Sequence, residues 1–593
     1  MKYIVKNKDY SYVADTELLE LLLQQRGVAN PQGLLNLDPS CIHDGLLFNN
    51  MKWGLELLAW HVNNGSRIHI IIDSDVDGFT SAALMYQYLA DLGIEATYST
   101  HTGKEHGITQ KVLEGYEFDL LVVPDAGTND VEMSRYLADQ GKDIIILDHH
   151  KFEGEYNTHA CVINCQDGYY PNNTLSGVGV VYKFCREFDK MYGFDFANYY
   201  LDLVAVGLVA DSMDLRNFET RFYALEGIKL IGSCNDFLKE IAMEQEYSLG
   251  EEITLHGVGW YIAPLINGAI RGGTREEKTR VWEALAGFQA DVEYKPRKSA
   301  KNPNPQVEIQ SLQKAMVRLC KSIKGKQDRE IKKSVEVMLS HIESEGLAEE
   351  KIIMMDVTDI LAQSHTGLVA NKLASQFKRP VILLRDKKND ETSYGGSGRN
   401  YSRFAVGDLN GFLTATGQFE SVSGHDNAFG FSIPKANVET LRTQVNEQLK
   451  DVAIEDVYHV DYEIAVGRLK EKHVKQVGQW KNMWANTLPE PTFAITDIYL
   501  SSEEIKLLGE KKNIIKFDIV RGDNKIAFIK RFASESLYNE IIHRSAHGLS
   551  SGSKRLKLTV IGKFAINKFN GNEYPQVEIV DVLSEVQARK VMF

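Results

Sequence analysis

Residues 68–92 read IHIIIDSDVDGFTSAALMYQYLADL: a short apolar run, an acidic turn and a stretch with a helical pattern. The run Ile68–Ile72 has the length of a buried strand, and apolar residues recur at helical spacing after the turn. The runs Leu120–Val123 and Ile144–Leu147 predict two more buried strands, with helical segments between them. Short buried strands that alternate with helices are typical of a mostly parallel sheet with helices on both faces. Residues 1–225, which include an N-terminal extension, are therefore predicted to form an α/β domain.

The pattern changes three times further along the chain. Residues 226–345 are helical and charged, which predicts a helical connector. Residues 346–452 return to strands alternating with a helix and predict a second α/β domain. In residues 453–593, short runs are separated by turn signals such as Asn570-Gly571, which favours a small β-barrel of the OB type. The predicted fold class is thus α/β, with a helical connector and a C-terminal OB-type barrel.

The composition is that of a folded protein with several domains. The chain has 593 residues, 43% of them hydrophobic and 25% charged, so it is too long for one core and too apolar for a disordered chain. No apolar run reaches the roughly 18 residues of a membrane helix, and Met1–Tyr10 lacks the apolar core of an export signal. Six scattered cysteines without a CxxC pair favour a reduced cytoplasmic protein over a zinc site. The net charge of −14 is an average, and it leaves the class of substrate open.

The acidic turn after the first predicted strand carries Asp73, Asp75 and Asp77 at alternating positions, followed by Gly78. Three carboxylates share a small volume only if cations neutralise them. A solvated acidic turn and a calcium loop are the alternatives. An EF-hand would need a glutamate at its twelfth position, where this chain has Leu84. The turn therefore favours a site for divalent cations.

Carboxylates and imidazoles also follow other predicted elements of the same domain. Asp125 comes after the second strand, Asp148-His149-His150 comes after the third, and Asp211 ends the apolar helix Leu201–Ala210. Each alone could be a helix cap or a structural acid, but ligands collect at the carboxyl ends of strands in such sheets. Oxygen ligands mixed with imidazole suit Mn²⁺ or Mg²⁺. The pattern predicts two such ions, an arrangement that serves phosphoryl transfer.

Taken in order, DxDxDG, an isolated aspartate after a strand, DHH and an aspartate after an apolar helix resemble the four motifs of the DHH phosphoesterase superfamily. Across about residues 50–582 the chain resembles the RecJ-type single-strand-specific exonucleases of that superfamily. The resemblance implies a DHH domain in 1–225, a substrate-binding DHH-associated domain in 346–452 and an OB-like nucleic-acid-binding domain in 453–593. The segments that carry it beyond the four motifs are Ser176–Val180, Pro264–Arg271 (PLINGAIR), 367–381, Ser397-Gly398-Arg399, Ser423-Gly424-His425 and Asn567–Asp581.

The resemblance implies five metal ligands and three further catalytic residues. Asp125 would bridge the two ions. Asp148 would orient the histidine pair, His150 would lie near the scissile phosphate, and Asp73 would be a further ligand or support one. The implied metal ligands are Asp75, Asp77, Asp125, His149 and Asp211.

Contacts with the substrate are implied by motifs further along the chain. Arg399 is suited to bidentate contact with phosphate oxygens, and glycines let the backbone approach a phosphate closely. The loop His101–Gly107 has no arginine, although RecJ proteins tend to carry one there for the 5′ phosphate, and Lys104 is expected to take that role. The implied substrate-binding residues are Arg399, His425, Ser397, Gly398, Gly424, Asn267, Arg271 and Lys104.

The resemblance implies an exonuclease that uses Mn²⁺ or Mg²⁺ to hydrolyse single-stranded DNA. Hydrolysis is expected to run from 5′ to 3′ and to release mononucleotides, in recombination, repair or replication. The expected enzyme is a cytoplasmic monomer that cooperates with a helicase or a single-strand-binding protein and does not bind a membrane. Base stacking by Phe569 and DNA contact by the basic run Lys321–Lys333 are further possibilities, with core packing and a solvated helix face as their respective alternatives.

Two other functions stay open at this point. One is a DHH phosphodiesterase or phosphatase that acts on short oligonucleotides or cyclic dinucleotides, and the other is a non-catalytic scaffold with the DHH fold. A terminal barrel favours a polymer as substrate, because a dinucleotide could not use the affinity that the barrel provides. The scaffold is disfavoured because none of the acidic motif residues is lost.

Overall fold

The computed structural model describes residues 2–7, 18–102, 105–250, 252–296, 303–387, 390–454, 457–485, 487–522, 524–546, 556–569 and 571–584. The chain forms two compact units. The first unit comprises Arg26–Gln327 and Lys481–Pro489, and the second comprises Met1–Gln25, Asp328–Trp480 and Glu490–Phe593. The four domain ranges drawn from the sequence stay a prediction.

Strands form the central sheet of the first unit and two larger sheets of the second. In chain order they are β1 (Lys2–Val5), β2 (Ile68–Ile72), β3 (Thr97–Thr100), β4 (Leu120–Pro124), β5 (Asp143–Asp148), β6 (Cys161–Asn164), β7 (Asp291–Tyr294), β8 (Glu308–Ser311), β9 (Ile353–Asp356), β10 (Val381–Lys387), β11 (Asp390–Arg399), β12 (Ser421–His425), β13 (Ala428–Pro434), β14 (Val457–Val460), β15 (Tyr462–Ala465), β16 (Phe493–Leu500), β17 (Lys506–Leu508), β18 (Ile514–Arg521), β19 (Asn524–Arg531), β20 (Leu556–Phe569) and β21 (Asn572–Ser584).

Helices cover these sheets and build the rest of the first unit. Among the described residues, no helix is both long enough and apolar enough to cross a membrane. In chain order the helices are α1 (Leu18–Gln25), α2 (Pro31–Leu35), α3 (Met51–Asn63), α4 (Val76–Asp91), α5 (Gln110–Leu113), α6 (Val131–Ala138), α7 (Gly177–Tyr192), α8 (Leu201–Ala210), α9 (Phe218–Leu230), α10 (Asp236–Glu244), α11 (Glu246–Leu249), α12 (Leu255–Gly257), α13 (Ala263–Gly272), α14 (Arg275–Leu285), α15 (Leu312–Ser344), α16 (Thr366–Phe377), α17 (Leu409–Thr414), α18 (Val438–Gln448), α19 (Glu471–Gly478) and α20 (Glu535–Ala546).

The first unit is built on a parallel sheet with the strand order β3-β2-β4-β5-β6. Side chains of its central strands alternate between two apolar cores: Ile70 and Ile72 pack in one, and Ile71 packs in the other. Both faces are therefore covered, which explains why the strands are continuous apolar runs. The three strands predicted from those runs are confirmed. The sheet also includes β3 and β6, whose short sequences TYST and CVIN gave no comparable signal.

The helical part of the first unit contains one feature that the sequence did not predict. The segment expected to be a helical connector forms α10 to α15, and it also holds the antiparallel hairpin of β7 and β8. Both hairpin strands are largely exposed, so they lack the apolar alternation that marks a half-buried strand.

The second unit contains a five-stranded and a seven-stranded sheet. The first has the order β12-β13-β11-β10-β9, and the second has the order β15-β16-β20-β21-β19-β18-β17. The turn signal at Asn570-Gly571 lies between β20 and β21, which pair as an antiparallel hairpin. The N-terminal strand β1 pairs in parallel with β14, so the start of the chain packs in this unit.

Candidate metal centre

Acidic residues meet at the carboxyl edge of the parallel sheet in the first unit. Asp73 follows β2, Asp125 follows β4 and Asp148 is the last residue of β5. Asp211 joins them from the C-terminal end of α8. Parallel neighbouring strands end at the same edge, so side chains far apart in sequence converge there.

The N-terminus of α7 holds the carboxylate of Asp77. Asp77 is buried in the first turn of α4 and accepts hydrogen bonds from Ser176 Oγ (3.0 Å), Gly177 N (2.6 Å) and Val178 N (3.3 Å). Backbone N–H groups at a helix start favour a negative charge. The orientation of Asp77 is therefore fixed by α7, although burial raises the pKa of this carboxyl group.

Two glycines allow helices to approach the acids closely. A Cβ atom on Gly177 would overlap the side chain of Asp125, and one on Gly207 would overlap Oδ1 of Asp77. Any larger residue at either position would push a helix away from the sheet edge. The sequence marked Gly177 through a family motif, whereas Gly207 lay unnoticed inside an apolar helix.

Asp125 is the buried carboxylate with the fewest internal partners. Its φ angle of 64° is left-handed, a conformation that aspartate tolerates better than most residues, and its N–H donates to Leu147 O at 2.8 Å. Oδ1 has no hydrogen-bond partner among the described residues. Burial, and then the charges of Asp77 and Asp75, raise the pKa of this carboxyl group well above its ordinary value. A cation at Oδ1 would offset both costs.

His149 stands among three carboxylates. Its Nε2 lies 3.2 Å from Asp125 Oδ1, 3.6 Å from Asp211 Oδ2 and 3.9 Å from Asp77 Oδ2. Burial lowers the pKa of this imidazole, which favours the neutral form that binds metals.

Asp148 supports the histidine pair instead of facing the cluster. Its Oδ1 accepts from His149 N (2.7 Å), His150 N (3.1 Å) and His150 Nδ1 (2.8 Å), and its Oδ2 accepts from Thr128 N (3.0 Å). Burial alone would raise the pKa of Asp148, but the hydrogen bond and charge of His150 hold it below the ordinary value. The same hydrogen bond raises the pKa of His150 to about 9. The His150 side chain is 57% exposed, so it can meet a substrate.

The acids and imidazoles form two sets that could each hold a cation. In each set the ligand atoms, one from each residue, lie within 4.8 Å of one another. Asp125 belongs to the first set and lies against His149 of the second, which is the position a bridging ligand needs. The first set is Asp73, Asp75 and Asp125, and the second is Asp77, His149 and Asp211.

The chemistry of these donors fits divalent cations that prefer oxygen ligands. Burial, followed by neighbouring carboxylates, raises the pKa of Asp73 to about 6 and that of Asp211 to about 8. Such crowded carboxylates are stable in their charged form only with a counter-charge. Carboxylates with one imidazole suit Mn²⁺ or Mg²⁺.

Two residues that the sequence did not mark hold Asp148 and His150 in place. Asn164 Nδ2 donates to Thr128 Oγ1 (2.8 Å) and to His150 O (2.9 Å), while Thr128 N donates to Asp148. Asn164 ends β6, one of the strands that the sequence did not predict. Recognising β6 would have placed Asn164 at the same sheet edge.

The predicted phosphate-binding motifs of the second unit lie on three adjacent strands. Arg399 of β11 and His425 of β12 both stand opposite Ala428 of β13, so the two side chains share one register level. Gly398 and Gly424 likewise stand opposite Phe429. The strand pairing thus brings the two motifs to one end of the sheet.

Helix α16 begins at the same motif. Ser397 Oγ lies 2.9 Å from Thr366 Oγ1, and a Cβ on Gly367 would lie 2.5 Å from Nη2 of Arg399. The side chain of Gly424 could not be enlarged either, because its φ of 127° is in the region that favours glycine.

The remaining predicted contacts are distributed as follows. In the first unit, Asn267 and Arg271 both lie on α13, where Arg271 Nε donates to Asn267 Oδ1 at 2.9 Å. Lys104 and the side chain of Phe569 lie outside the described residues. Lys321, the first residue of the basic run on α15, forms an ion pair with Glu244 at 2.6 Å.

An α/β domain with two acidic donor sets at its sheet edge, followed by a second substrate-type unit, defines the class of metal-dependent phosphoesterases. Residues 67–208 match the model of the DHH family N-terminal domain, and residues 460–581 match that of the RecJ OB domain. These matches confirm the interpretation of the DHH motifs and of the terminal OB domain.

Known proteins extend the match to almost the whole chain. The putative SPbeta prophage-derived single-strand DNA-specific exonuclease YorK of Bacillus subtilis (strain 168) is 34% identical over 589 residues, which is 98% of each chain. The single-stranded-DNA-specific exonuclease RecJ of the same strain is 23% identical over 584 residues, 95% of this chain and 68% of that protein. The crystal structure of RecJ from Thermus thermophilus with Mn²⁺ shares the fold, with a TM-score of 0.68, 20% identity and coverage of 98% of this chain and 79% of that one. The chain belongs to the RecJ-type family of DHH phosphoesterases.

Proposed function

We propose that this protein is a metal-dependent exonuclease that hydrolyses single-stranded DNA. The observation that carries the proposal is the buried, unpartnered Oδ1 of Asp125 between two acidic donor sets, in the part of the chain that the structure describes. The names of YorK and RecJ as exonucleases specific for single-stranded DNA support the same substrate. The RecJ OB domain adds support for a polymer, because such a domain gives affinity for a strand of several nucleotides.

The proposed metal ligands are the residues of the two donor sets. Asp75 and Asp73 would serve one Mn²⁺ or Mg²⁺, Asp77, His149 and Asp211 would serve the other, and Asp125 would bridge them. When bound, such a pair stabilises charge on the attacking and leaving oxygens and lowers the pKa of a water molecule. The chain itself keeps the acids at fixed positions through the start of α7 and the end of α8.

The proposed catalytic role of His150 is to hold the scissile phosphate. Its Nδ1 donates to Asp148, which fixes the ring and leaves Nε2 for the substrate. Asp148 is a positioning residue, because its hydrogen bonds go to His149, His150 and Thr128. Phosphate contacts by Arg399, His425 and Lys104, with Ser397, Gly398, Gly424, Asn267 and Arg271, belong to the same proposal, as do the 5′ to 3′ polarity and the release of mononucleotides.

An assay on end-labelled DNA tests the proposed function. The purified chain is titrated with Mn²⁺ and Mg²⁺ on 5′-labelled, 3′-labelled and duplex DNA. The expected result is metal-dependent release of mononucleotides from the 5′ end of single strands, with a loss of at least about 100-fold in Asp125→Ala, since even outer partners of a metal site are worth 10–100-fold. Asp139→Ala, at an exposed carboxylate, is the matched control. Activity that persists in Asp125→Ala would refute the site.

Comparison of chain lengths tests the substrate class. A dinucleotide and a strand of about 20 nucleotides are compared by kcat/KM. A preference for the long strand agrees with the OB domain, and a preference for the dinucleotide would instead establish a phosphodiesterase of short oligonucleotides.

The cellular setting is proposed on weaker grounds and is tested separately. All six cysteines are free, which supports a reducing compartment such as the cytoplasm. We propose a monomer that works with a helicase or a single-strand-binding protein in recombination, repair or replication. Light scattering measures the oligomeric state, and fractionation of cells that produce the tagged protein measures its location.

A further inference from the structure

An exposed aromatic surface lies on the helical layer of the first unit. Trp260 is 65% exposed, although such a large apolar side chain is usually buried. Its ring centroid lies 5.6 Å from that of His256, with 32° between the ring planes. Towards the C-terminus, the partly exposed Asn267 and the exposed Arg271 continue the solvent-facing side. His256, Trp260, Asn267 and Arg271 are called the Trp260 face below.

A π-helical turn presents Trp260 to solvent. Residues Val258–Ile262 form this turn, in which Ala263 N donates to Val258 O, five residues back. A π-turn adds one residue to a helix, shifts the face that follows it, and is frequent at functional sites. Val258 and Ile262 stay buried on either side, so the extra residue exposes the indole while the core contacts are kept.

The Trp260 face adjoins the metal centre. A Cβ on Gly259 would lie 3.4 Å from Cγ1 of Val209, two residues before Asp211. Helix α13, which carries Asn267 and Arg271, packs against both α4 and α8. These two helices supply Asp77 and Asp211 of the second donor set. The indole is thus about one helix diameter, roughly 10 Å, from the acids.

We propose that Trp260 is a base-stacking platform for single-stranded DNA next to the metal centre, an inference that rests on the proposed function. Every nucleobase has a π face that stacks on an indole, so this contact needs no particular sequence. Arg271, held by Asn267 through a hydrogen bond of 2.9 Å, supplies a cation on the same face for a phosphate. A DNA strand is the occupant because the face continues directly from the acids that act on its phosphodiester.

Strand binding by full-length variants tests this inference. Binding of fluorescein-labelled (dT)20 is measured by anisotropy in EDTA, so that the strand stays intact. Trp260→Ala is expected to raise Kd at least about fivefold, the loss that corresponds to one stacked base. Trp260→Phe, which keeps an aromatic ring, is expected to retain most of the affinity.

Trp60→Ala is the matched control. Trp60 is 57% exposed on α3, and its neighbour His61 has Nε2 3.1 Å from Asp143 Oδ2 at the amino end of β5. This tryptophan is therefore at the sheet edge opposite the acids. Its replacement is expected to leave Kd for (dT)20 unchanged, and an effect equal to that of Trp260→Ala would overturn the inference.

A single abasic site moved along the strand tests the stacking itself. At the position that meets Trp260, the abasic site should weaken binding by the wild type about as much as Trp260→Ala does, and should cost the variant nothing further, since coupled changes are not additive. Equal additional loss in the variant at every position would overturn stacking, even if Trp260→Ala binds poorly. Wild-type hydrolysis of single strands together with unchanged affinity in Trp260→Ala would overturn the inference and leave the proposed function standing. A wild type that neither binds nor cleaves single strands would refute both.

Discussion

Two clusters in the first unit bury charge, and only one of them supplies its own partners. Glu219 is fully buried and accepts hydrogen bonds from Tyr170 (2.7 and 2.9 Å), Asn172 (2.9 Å) and Lys183 (3.2 Å). Asp125 is buried as deeply, but the groups around it are other carboxylates, and its Oδ1 has no hydrogen-bond partner among the described residues. Because buried charge is costly unless it is paired, the Glu219 cluster stabilises the fold by itself, whereas the metal centre needs cations from solution.

The largest expected effect comes from breaking the cluster that is complete. Glu219→Gln keeps the shape of the side chain but leaves the ammonium group of Lys183, which is 1% exposed, without its counter-charge. Loss of one partner of a buried ion pair costs about 3–5 kcal/mol. Urea unfolding of the full chain, followed by tryptophan fluorescence, should show a decrease of this size in the free energy of unfolding.

Glu226→Gln on the same helix is the control for this comparison. Glu226 pairs with Lys229 at 2.6 Å, and both side chains are exposed. Exposed pairs contribute at most about 1 kcal/mol. Similar losses in the two variants would contradict the role assigned to the Glu219 cluster.

Asp202 is an intermediate case, since backbone groups satisfy it only in part. It accepts from Leu203 N (2.8 Å) and Asn235 N (2.9 Å), yet burial raises its pKa from 3.8 to about 7. The folded state therefore binds this proton more tightly than the unfolded chain does. Its contribution to stability is complete below pH 4 and is lost as the pH rises through 7, up to about 4 kcal/mol.

Asp202→Asn should remove this loss, because asparagine resembles the neutral acid. The variant should match the wild type near pH 5 and be the more stable of the two at pH 8, as measured by unfolding in urea at each pH. A difference in stability that does not change between these pH values would show that the pKa of Asp202 is close to ordinary.

The incomplete cluster should gain stability from cations. A ligand that binds only the folded state at 100 times its Kd adds about 2.7 kcal/mol. Mn²⁺ is expected to raise the melting temperature of the wild type accordingly, and Asp125→Asn should lose most of this increase. Without metal, Asp125→Asn should be at least as stable as the wild type, because it removes an unpaired buried acid. A metal-free variant that melts well below the wild type would contradict this comparison.

The sequence revealed the part of this arrangement that is written in continuous patterns. The apolar run Ile68–Ile72 predicted its strand, and the acids after three such runs predicted the sheet edge at which they meet. Strand β6 escaped because CVIN is four residues long and ends in a polar side chain. Without β6, the position of Asn164 could not be inferred.

Tertiary contacts account for most of what could not be predicted. The partners of Asp77 come from α7, about 100 residues away, and Gly207 matters only because two helices cross at the acids. The register that places Arg399 and His425 opposite Ala428 is likewise a property of strand pairing. A motif can indicate that such residues act together, but only the pairing shows which ones are neighbours.

The smallest expected effect tests whether the two clusters differ in catalysis as well as in stability. Asn164→Ala removes the donor to His150 O and Thr128 Oγ1 while leaving every acid of the donor sets in place. Since the support of a metal-site histidine is worth about 10–100-fold, kcat should fall by that factor, while KM for single-stranded DNA and the increase in melting temperature with Mn²⁺ should change little. Asn172→Ala, in the Glu219 cluster, should show the reverse: lower stability with kcat almost unchanged. If Asn164→Ala lowers stability and leaves kcat intact, then Asn164 belongs with the structural cluster, and the division between the two regions is drawn in the wrong place.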